Sequence, residues 1–459
     1  MSTSDLDTDV LVVGAGGCGL AAAVAAHDAG AQVAVVEKRE TPGGNTAIST
    51  GSIPGAGTRF QRAAGIEDSA ELFHADLMAL SGPHDAEALT RRLAECSAAL
   101  VEWLADDLGV TLDIITDYKH VGHSVPRLHA PASRKGADLT RDLVAAVERR
   151  GIPLAVASPV TSLETDASGA VVGAVVDGGR SGSYRVSARK TVIAVNGFGN
   201  DRALVARYCP EIAGASYVGA LGSEGEAIRW GEALGSRFGN MASYQGYASI
   251  IHPHGELLSW TTIEKGGIFV NARGERFGDE VIGYSGFAGP VNRQEGPVHA
   301  IFDQRIRDVA AREPWFREVL DYGGARRAAT VEEMAAATGL PVDALAATIA
   351  SYNRAAAGAE RDPHGRKDFA MAPLEAPFWH TEVQAALLST QGGLAIETDG
   401  RVLSRDGGPI RNLFAGGGAV AGIAGRQGGV GYASGSGLLH AIGLGRLAGL
   451  AAAGELATR

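Results

Sequence analysis

The hydrophobic pattern of the first forty residues predicts a strand, a helix and a second strand. TDVLVVG (residues 8–14) is a short apolar run that ends in glycine, as expected of a buried parallel strand. QVAVVEK (32–38) is a second run of the same kind, and the residues from about Gly16 to Ala29 predict a helix between them. This order indicates a strand-helix-strand unit of a parallel sheet.

The pattern changes several times beyond this unit. Residues 66–108 and 136–150 carry helical periodicity, whereas 155–179 predict a β-meander with glycine-containing turns. TVIAVNGFGN (191–200) predicts another apolar strand that runs into a glycine turn. The first two hundred residues therefore mix helices and strands throughout.

Residues 240–365 have a different character from the rest of the chain. They are first aromatic and polar and then rich in alanine, with a helical part around Val331 to Ala357. Strands and glycine turns return near Gly392, and a long glycine-rich helix begins near Gly435. We therefore expect an α/β fold in which residues 1–240 and 366–459 form one domain and residues 241–365 an inserted α+β capping domain.

Composition and charge narrow the classes of ligand. The 459 residues include 64 glycines, far above ordinary usage, which indicates many tight backbone turns. With 41 basic and 52 acidic side chains the formal net charge is −11, and no long basic run is present. Binding to nucleic acid or to an anionic membrane is therefore disfavoured, and a small-molecule ligand is expected.

The cysteines and the termini predict a cytoplasmic protein. Cys18, Cys96 and Cys209 form no CxxC pair and no ligand cluster, so neither a disulfide framework nor a zinc site is expected. The acidic start MSTSDLDTD lacks the features of a secretory signal. The apolar stretch near the C-terminus is interrupted by His440 and Arg446, so no membrane insertion is expected.

A glycine motif follows the first predicted strand. Gly14, Gly16 and Gly19 match G-x-G-x-x-G in the required place between a strand and a helix, with Gly17 between them. Such glycines let backbone N–H groups and a helix N-terminus approach a pyrophosphate. Glu37 ends the second strand at the spacing of a carboxylate that binds a ribose hydroxyl. The motif predicts a dinucleotide site and leaves NAD and FAD both open.

The residues after Glu37 distinguish between the two cofactors. The glycine pair in PGGNT resembles the second glycine pair of FAD enzymes. The chain resembles the flavoprotein superfamily of fumarate reductase and succinate dehydrogenase in this pair and in five further segments: VVGAGGCG, VVEK, AVNGFGN, GGIFVNARGERFGDE and LFAGGG. The resemblance covers nearly the whole chain and is greatest to the 3-ketosteroid dehydrogenase-like branch. It implies a Rossmann-type FAD-binding domain.

The same resemblance implies which residues hold FAD. The set comprises Gly14, Gly16, Gly17, Gly19, Glu37, Lys38, Gly43, Gly44, Asn45, Thr46, Ser49, Gly51, Val160, Ala194, Asn196, Gly197, Gly417, Gly437, Leu438 and Leu439. Two positions depart from the family. Gly418 stands where many relatives carry an acidic residue, and Asn45 lies roughly where membrane-complex relatives attach flavin through histidine. We therefore expect non-covalent FAD.

The residues expected at the substrate site argue against fumarate as the substrate. Relatives that reduce fumarate hold its carboxylates with histidine and arginine and donate a proton from arginine. Counted from the shared IFVN segment, those positions fall on Tyr247, Trp260, Ile263 and Tyr284. Because none of these residues carries a positive charge, the alignment disfavours fumarate or succinate chemistry.

Tyrosines supply an alternative chemistry. Tyr284 resembles the tyrosine that ketosteroid dehydrogenases use as the proton-abstracting base, and Tyr432 lies near the position of the tyrosine that binds the ketone. The backbone N–H of Ser436 would complete the carbonyl site, and Tyr118 would be a second tyrosine that supports the base. Tyr247 is a further catalytic candidate and Trp260 a substrate-binding candidate, and packing roles remain open for Tyr284 and Tyr118.

A loop rich in basic residues is a further candidate. His120, His123, Arg127 and His129 are a possible metal site, but a glycine and a proline argue against a helix that would align them. The family resemblance implies instead that Arg127 and His129 shape the substrate cavity. Arg426 would bind a substrate carboxylate, or be an ordinary exposed arginine.

These observations predict an FAD-dependent dehydrogenase. It would desaturate a cyclic ketone, either steroid-like or a smaller alicyclic ketone or keto-acid, at the carbon-carbon bond beside the carbonyl, with hydride passing to flavin and the proton to a tyrosine. The alternatives are a flavin-dependent reductase of an unsaturated acid, with Arg127, His129, Arg293 and Arg426 as cationic candidates, and a flavin-binding protein without turnover. The electron acceptor is not identified by the sequence.

Overall fold

A computed structural model of the protein describes residues 6–116 and 120–457. The chain divides into two compact units: the first comprises 1–209, 219–244 and 389–459, and the second comprises 210–218 and 245–388. The segment 366–388, which we expected in the first domain, belongs with the second unit because a long strand there pairs with strands of that unit. The segment 210–218 joins the second unit for the same reason.

The elements follow one another in a mixed order of helices and strands. The strands are β1 (Leu6–Val13), β2 (Val33–Val36), β3 (Ile53–Pro54), β4 (Asp113–Ile114), β5 (Leu128–Ala130), β6 (Leu154–Ala155), β7 (Val160–Thr165), β8 (Val171–Asp177), β9 (Ser183–Ile193), β10 (Ser216–Tyr217), β11 (Phe238–Gly239), β12 (Ala242–Ile251), β13 (Ile268–Val270), β14 (Val298–Asp303), β15 (Arg326–Ala328), β16 (Phe378–Thr390), β17 (Gly393–Leu394), β18 (Arg401–Leu403), β19 (Pro409–Ala415) and β20 (Gln427–Gly428). The helices are α1 (Gly17–Asp28), α2 (Gly44–Ile48), α3 (Arg59–Ala63), α4 (Ala70–Ser81), α5 (Glu87–Asp106), α6 (Gly136–Arg149), α7 (Arg202–Tyr208), α8 (Glu226–Ala233), α9 (Thr261–Glu264), α10 (Ala288–Asn292), α11 (Gln304–Ala310), α12 (Pro314–Asp321), α13 (Val331–Thr338), α14 (Val342–Ala356) and α15 (Ser436–Ala457).

The predicted strand-helix-strand unit is confirmed. β1 pairs in parallel with β2, with Val10 opposite Val33 and Val13 opposite Val36, and α1 connects the two strands. The path through the sheet runs β18-β19-β9-β1-β2-β6, and the meander strands β7 and β8 extend it from β9. Because both faces of the central strands are covered, β1 has no exposed side chain beyond its first two residues.

The long closing helix packs closely on the helix that follows the glycine motif. A Cβ at Gly445 would lie 2.2 Å from the Cys18 carbonyl oxygen, and one at Gly449 would lie 2.3 Å from that of Ala22. Glycines on α15 therefore let its backbone approach that of α1. Among the described helices α15 alone is long and apolar enough to cross a membrane, but 61% of its apolar window is buried inside the protein. Core helices of soluble proteins have the same property.

The second unit is built on a sheet of its own. β14 pairs antiparallel with both β13 and β16, and β10 and β15 also pair with β16. Helices α9 to α14 accompany these strands. The unit thus contains both the aromatic segment and the alanine-rich helical part that the sequence distinguishes.

Candidate functional site

A cavity of about 350 Å³ lies within the first unit, at the carboxyl ends of β1 and β2. Its walls come from the start of α1, from α2, from the turn after β9, from the segment 220–223 and from the turn after β19. Of the residues expected to hold FAD, those that line it are Gly14, Gly16, Gly17, Glu37, Lys38, Gly44, Asn45, Thr46, Val160, Ala194, Asn196 and Gly417. Three glycines of the motif and Gly44 of the glycine pair, which follows them by 27 residues or more, therefore face the same space.

The first glycine of the motif is required by its surroundings. Gly14 has φ +104°, and a Cβ there would lie 2.5 Å from the carbonyl oxygen of Ala194. Gly16 precedes α1 without a side-chain cap, and the Gly17 N–H donates to Thr46 Oγ1 at 3.1 Å. The N-terminus of α1 therefore borders the cavity with its backbone, which suits an anionic pyrophosphate.

Glu37 is held in place at the end of β2. Its Oε2 accepts a hydrogen bond from the Ala15 N–H at 2.8 Å, and its Oε1 accepts one from the Arg39 N–H at 2.8 Å. Two backbone donors fix the carboxylate on the cavity wall, where each oxygen retains capacity for a further donor. This arrangement fits the ribose role expected for Glu37.

The departure at Gly418 has a steric explanation. Asn196 has φ +68°, and its Nδ2 donates to Ser223 Oγ at 2.7 Å. A Cβ at Gly418 would lie 2.2 Å from Asn196 Oδ1. An acidic side chain at position 418 therefore requires Asn196 to move, and the amide occupies this part of the cavity wall instead.

Asn45 connects two walls of the cavity. Its Oδ1 accepts a hydrogen bond from the Ala220 N–H at 2.6 Å, which ties α2 to the segment 220–223. An amide is not the imidazole that covalent attachment at this position would need. That arrangement agrees with non-covalent FAD, which remains a prediction.

The other expected cofactor residues lie outside the cavity lining. They are Gly19, Gly43, Ser49, Gly51, Gly197, Gly437, Leu438 and Leu439. A Cβ at Gly19 would lie 1.8 Å from the Gly14 carbonyl oxygen, and one at Gly197 would lie 2.2 Å from Thr390 Oγ1. These two glycines permit close packing beneath the cavity.

Several residues that line the cavity are not predicted from the sequence. Ser158, the segment 220–223, Glu226 and Trp230 contribute to its walls from parts of the chain far from the glycine motif. The short glycine-rich run GSEGE (222–226) is the one local signal for this contribution. It has neither the spacing of the first motif nor a preceding long strand.

Tyr432 lies at the start of α15. Its Oη accepts a hydrogen bond from the Gly437 N–H at 3.1 Å, and burial raises the pKa of Tyr432 to about 12. The hydroxyl therefore keeps its proton at neutral pH. The expectation for the Ser436 N–H needs correction, because this N–H donates to the Ala433 carbonyl oxygen at 3.1 Å. The helix turn thus already uses the donor that we had expected to bind a ketone.

The basic loop has a structural role rather than an open basic surface. Arg127 is fully buried and donates to both oxygens of Asp68, at 2.7 and 2.8 Å, and also to Asp76. His129 is buried, its Nε2 lies 2.9 Å from Thr58 Oγ1, and burial lowers the pKa of His129 to about 4. These contacts correct the substrate-binding prediction for Arg127, whose guanidinium is committed to carboxylates of the protein.

Arg426 and Tyr118 are the remaining candidates from the sequence. Arg426 is exposed, and its Nε donates to Asp85 Oδ1 at 3.2 Å. Tyr118 lies outside the described residues. Among residues 6–116 and 120–457 no group of three or more histidine, cysteine or acidic side chains is arranged to hold a metal ion.

Three aromatic side chains form a cluster in the second unit. The ring centres of Tyr247 and Tyr284 are 5.2 Å apart, and those of Trp260 lie 6.4 Å from Tyr247 and 6.0 Å from Tyr284. We call this set the aromatic cluster. Three of the four positions expected for charged groups in a fumarate reductase therefore meet as aromatic rings, and the fourth, Ile263, is buried.

The two tyrosines of the cluster differ in their environments. Tyr247 is buried and its Oη donates to the Leu258 carbonyl oxygen at 2.8 Å. Burial raises the pKa of Tyr247 well above its usual value, and the nearby Glu313 and Glu264 carboxylates add to the effect. Tyr247 is therefore poorly suited to act as a base. Tyr284 is only partly buried, which leaves it the more accessible of the two.

Three arginines of the second unit are paired with carboxylates. Arg276 donates to Glu280 and Asp362, and Arg366 Nη1 donates to Glu280 Oε2 at 3.2 Å. Both guanidinium groups are buried. Arg293 is exposed and pairs with Glu211. Each of these charges is thus compensated within the unit.

The comparisons with known proteins identify the family. A model described as "FAD binding domain" matches residues 9–434. The chain belongs to the FAD-binding domain family. FAD is therefore its cofactor, and the expected place in the fumarate reductase and succinate dehydrogenase superfamily is confirmed.

Curated relatives within this flavoprotein family are reductases and a dehydrogenase. A probable fumarate reductase of Shewanella frigidimarina (strain NCIMB 400) is 32% identical over 96% of this chain and 74% of its own length. NADH:fumarate oxidoreductase of Klebsiella pneumoniae (strain 342) is 34% identical over 91% of this chain, which spans 45% of that protein. 4-Oxocyclohexanecarboxylate 2-dehydrogenase of Sinomonas cyclohexanicum is 28% identical over 90% of this chain and 87% of its own length.

Solved structures of FAD-binding relatives share the fold. A flavocytochrome c3 fumarate reductase in an open conformation has a TM-score of 0.82 and 31% identity, covering 99% of this chain and 79% of its own. 3-Ketosteroid-Δ4-(5α)-dehydrogenase of Rhodococcus jostii RHA1 has a TM-score of 0.79 and 28% identity, covering 99% of this chain and 98% of its own. The expected mixed α/β flavoprotein fold and an oxidoreductase acting on carbon-carbon bonds are thereby confirmed.

Proposed function

We propose that the protein is an FAD-dependent dehydrogenase that desaturates a cyclic ketone beside its carbonyl group. The observation that carries the proposal is the aromatic cluster. Tyr247, Trp260 and Tyr284 occupy the positions at which a fumarate reductase would need charged groups, and aromatic rings suit an uncharged alicyclic ring far better than a dicarboxylate.

Two relatives that act on cyclic ketones match this chain over most of their own length. The chain spans 98% of the ketosteroid dehydrogenase chain and 87% of the 4-oxocyclohexanecarboxylate dehydrogenase. It spans 74% and 45% of two fumarate-reducing relatives but 92% of another, a fumarate reductase of Schizosaccharomyces pombe, so the extent of a match does not by itself distinguish the two reactions. The two dehydrogenases thus resemble this chain in size as well as in fold, and both have a cyclic ketone in the names of their substrates.

Desaturation requires the removal of one proton and one hydride from adjacent carbons. Bound FAD supplies the hydride acceptor. Tyr284, the accessible tyrosine of the cluster, takes the proton from the carbon next to the carbonyl, while the electron pair of that bond forms the new double bond as hydride leaves the neighbouring carbon. Tyr432 remains protonated because burial raises its pKa to about 12, so its hydroxyl is suited to donate a hydrogen bond to the ketone oxygen.

The cofactor, partners and compartment follow from the same proposal. FAD is bound without a covalent link, since the side chain at the expected attachment position is an amide. A separate electron acceptor re-oxidises the flavin, and no nucleic acid or membrane takes part. A cytoplasmic location fits three cysteines without a predicted pairing.

Anaerobic flavin spectroscopy tests the proposal directly. The purified holoenzyme is mixed with cyclohexanones, 4-oxocyclohexanecarboxylate, saturated 3-ketosteroids and succinate, and the oxidised flavin band is followed. We expect bleaching by at least one saturated cyclic ketone and none by succinate. Absence of bleaching by every ketone in the panel contradicts the proposal.

The reverse chemistry is a second candidate because the fumarate-reducing relatives are 32% and 34% identical. Chemically reduced holoenzyme is mixed with fumarate, acrylate and urocanate under the same conditions. Re-oxidation by one of these acids, without bleaching by any ketone, assigns the protein as a reductase. A flavin that responds to neither panel assigns it as a flavin-binding protein without turnover.

A further inference from the structure

A buried carboxylate oxygen on the cavity wall has no partner in the described part of the protein. Glu226 lines the cofactor cavity, and its Oε2 accepts no hydrogen bond from the described residues. Its other oxygen, Oε1, pairs with Lys38 Nζ. A buried acceptor left unsatisfied is costly, so its presence in a binding cavity indicates a donor on the ligand.

The position of Glu226 identifies the end of the cavity that it serves. Its ion-pair partner, Lys38, follows Glu37 directly, and the Glu37 carbonyl oxygen accepts a hydrogen bond from Ser158 N at 2.8 Å. Glu37 is the carboxylate expected at the ribose, while the pyrophosphate is expected at the start of α1. Glu226 therefore belongs to the end of the cavity beyond the ribose, where the base of a dinucleotide lies.

The surroundings of Glu226 suit a purine ring. Val36, Val160, Val195 and Trp230 line the same cavity, and the last three pack against the apolar cluster that contains Val36. Trp230 lies four residues after Glu226 on α8, so both side chains share one face of the helix. An apolar wall beside one unpartnered anionic acceptor matches a flat base that presents a hydrogen-bond donor.

We propose that Glu226 selects the adenine base of the cofactor. Its Oε2 accepts a hydrogen bond from the exocyclic amino group, and Lys38 balances the charge and holds the carboxylate in place. In hypoxanthine a carbonyl oxygen replaces that amino group, so two acceptors would face each other. Glu226 is thus a specificity-determining residue of the dinucleotide site.

The test compares FAD with its hypoxanthine analogue, in which deamination replaces the amino group by a carbonyl. Both are titrated into apoprotein, and binding is followed by the change in flavin fluorescence. We expect the wild type to prefer FAD. Glu226→Gln should narrow that preference by about 10-fold or more, because its amide is able to donate to the hypoxanthine carbonyl.

Glu224→Gln is the matched control. Glu224 Oε2 accepts from the same Lys38 Nζ at 2.8 Å, but Glu224 is largely exposed and does not line the cavity. Both variants remove one negative charge beside Lys38. We expect Glu224→Gln to retain the wild-type ratio of the two affinities.

Three results would overturn the proposal. In the first, the wild type binds both dinucleotides equally, a result that needs no variant. In the second, Glu226→Gln keeps the full preference, so that other groups such as the Val160 backbone read the base. In the third, Glu226→Gln weakens both dinucleotides by the same factor, which places its role away from the base.

Discussion

The cofactor cavity is formed mainly by backbone groups, whereas the aromatic cluster is formed by side chains. The cavity is formed largely by backbone at glycines, by a helix N-terminus and by one carboxylate held by two backbone donors. The aromatic cluster is formed by side chains that pack on one another in the second unit. A site built from backbone can therefore be recognised in the sequence by the spacing of its glycines, whereas a cluster of side chains is indicated only by its residue types.

Arg127 gives the largest expected effect, because its substitution tests whether a basic residue predicted to bind substrate has a structural role instead. Arg127→Met leaves Asp68 and Asp76 without their buried partner, so we expect a loss of about 3–5 kcal/mol in the free energy of unfolding. Urea denaturation measures it. The exposed pair of Arg293 with Glu211 is the control, and Arg293→Met should cost no more than about 1 kcal/mol. Equal losses in the two variants would contradict this interpretation.

The backbone character of the cavity is tested by adding one methyl group. In Gly14→Ala the new Cβ would meet the Ala194 carbonyl oxygen at 2.5 Å, and φ is +104°. We expect a loss of about 3 kcal/mol of stability and of most bound FAD, measured by thermal unfolding and by flavin absorbance per protein. Gly30→Ala is the control, since Gly30 also has a positive φ, +95°, but nothing lies within 4 Å of its Cβ and it does not line the cavity. Retention of FAD by Gly14→Ala would contradict the account.

How far the sequence predicts each region follows from this difference. The G-x-G-x-x-G spacing and Glu37 identified the cavity because a close approach of backbone to ligand requires glycine at fixed positions. Glu226 and Trp230 were missed because they come from another segment of the chain and carry no spacing signal. For the aromatic cluster, the sequence identified Tyr247, Trp260 and Tyr284, but not that their rings meet. Two groups were assigned wrongly. The Ser436 N–H already donates to a carbonyl oxygen in a helix turn, and the Arg127 guanidinium is already paired with carboxylates of the protein.

Acid destabilises both units through buried histidines. Burial lowers the pKa of His440 in the first unit and of His299 in the second to about 4. The unfolded chain binds protons near pH 6.5 but these sites do so only near pH 4, so stability falls as the pH drops between those values. At pH 5 each histidine should cost up to about 2 kcal/mol, measured by urea denaturation at pH 7.5 and 5.

His299→Phe should remove the share of that acid loss that His299 contributes, while FAD binding at pH 7.5 stays unchanged. A free energy of unfolding that is the same at pH 5 and 7.5 would contradict this expectation, because the histidines would then bind protons at pH 5 as readily in the folded protein as in the unfolded chain.

The smallest effect concerns the buried tyrosine of the aromatic cluster. Tyr247→Phe removes the hydroxyl that donates to the Leu258 carbonyl oxygen, so we expect a loss of about 1 kcal/mol in stability. Because burial raises the pKa of Tyr247 well above its usual value, its hydroxyl is no base, and the rate of flavin reduction should change less than about 10-fold. A loss of 100-fold or more would move the base from Tyr284 to Tyr247.

The most direct test of the central claim is the rate of flavin reduction by Tyr284→Phe under anaerobic single-turnover conditions. With a ketone that bleaches the wild-type flavin, we expect the variant to retain FAD and its ketone affinity but to reduce flavin at least about 100-fold more slowly. Tyr247→Phe, in the same cluster, is the matched control. An unchanged rate in Tyr284→Phe would contradict the account, because the proton would then leave without the tyrosine assigned to take it.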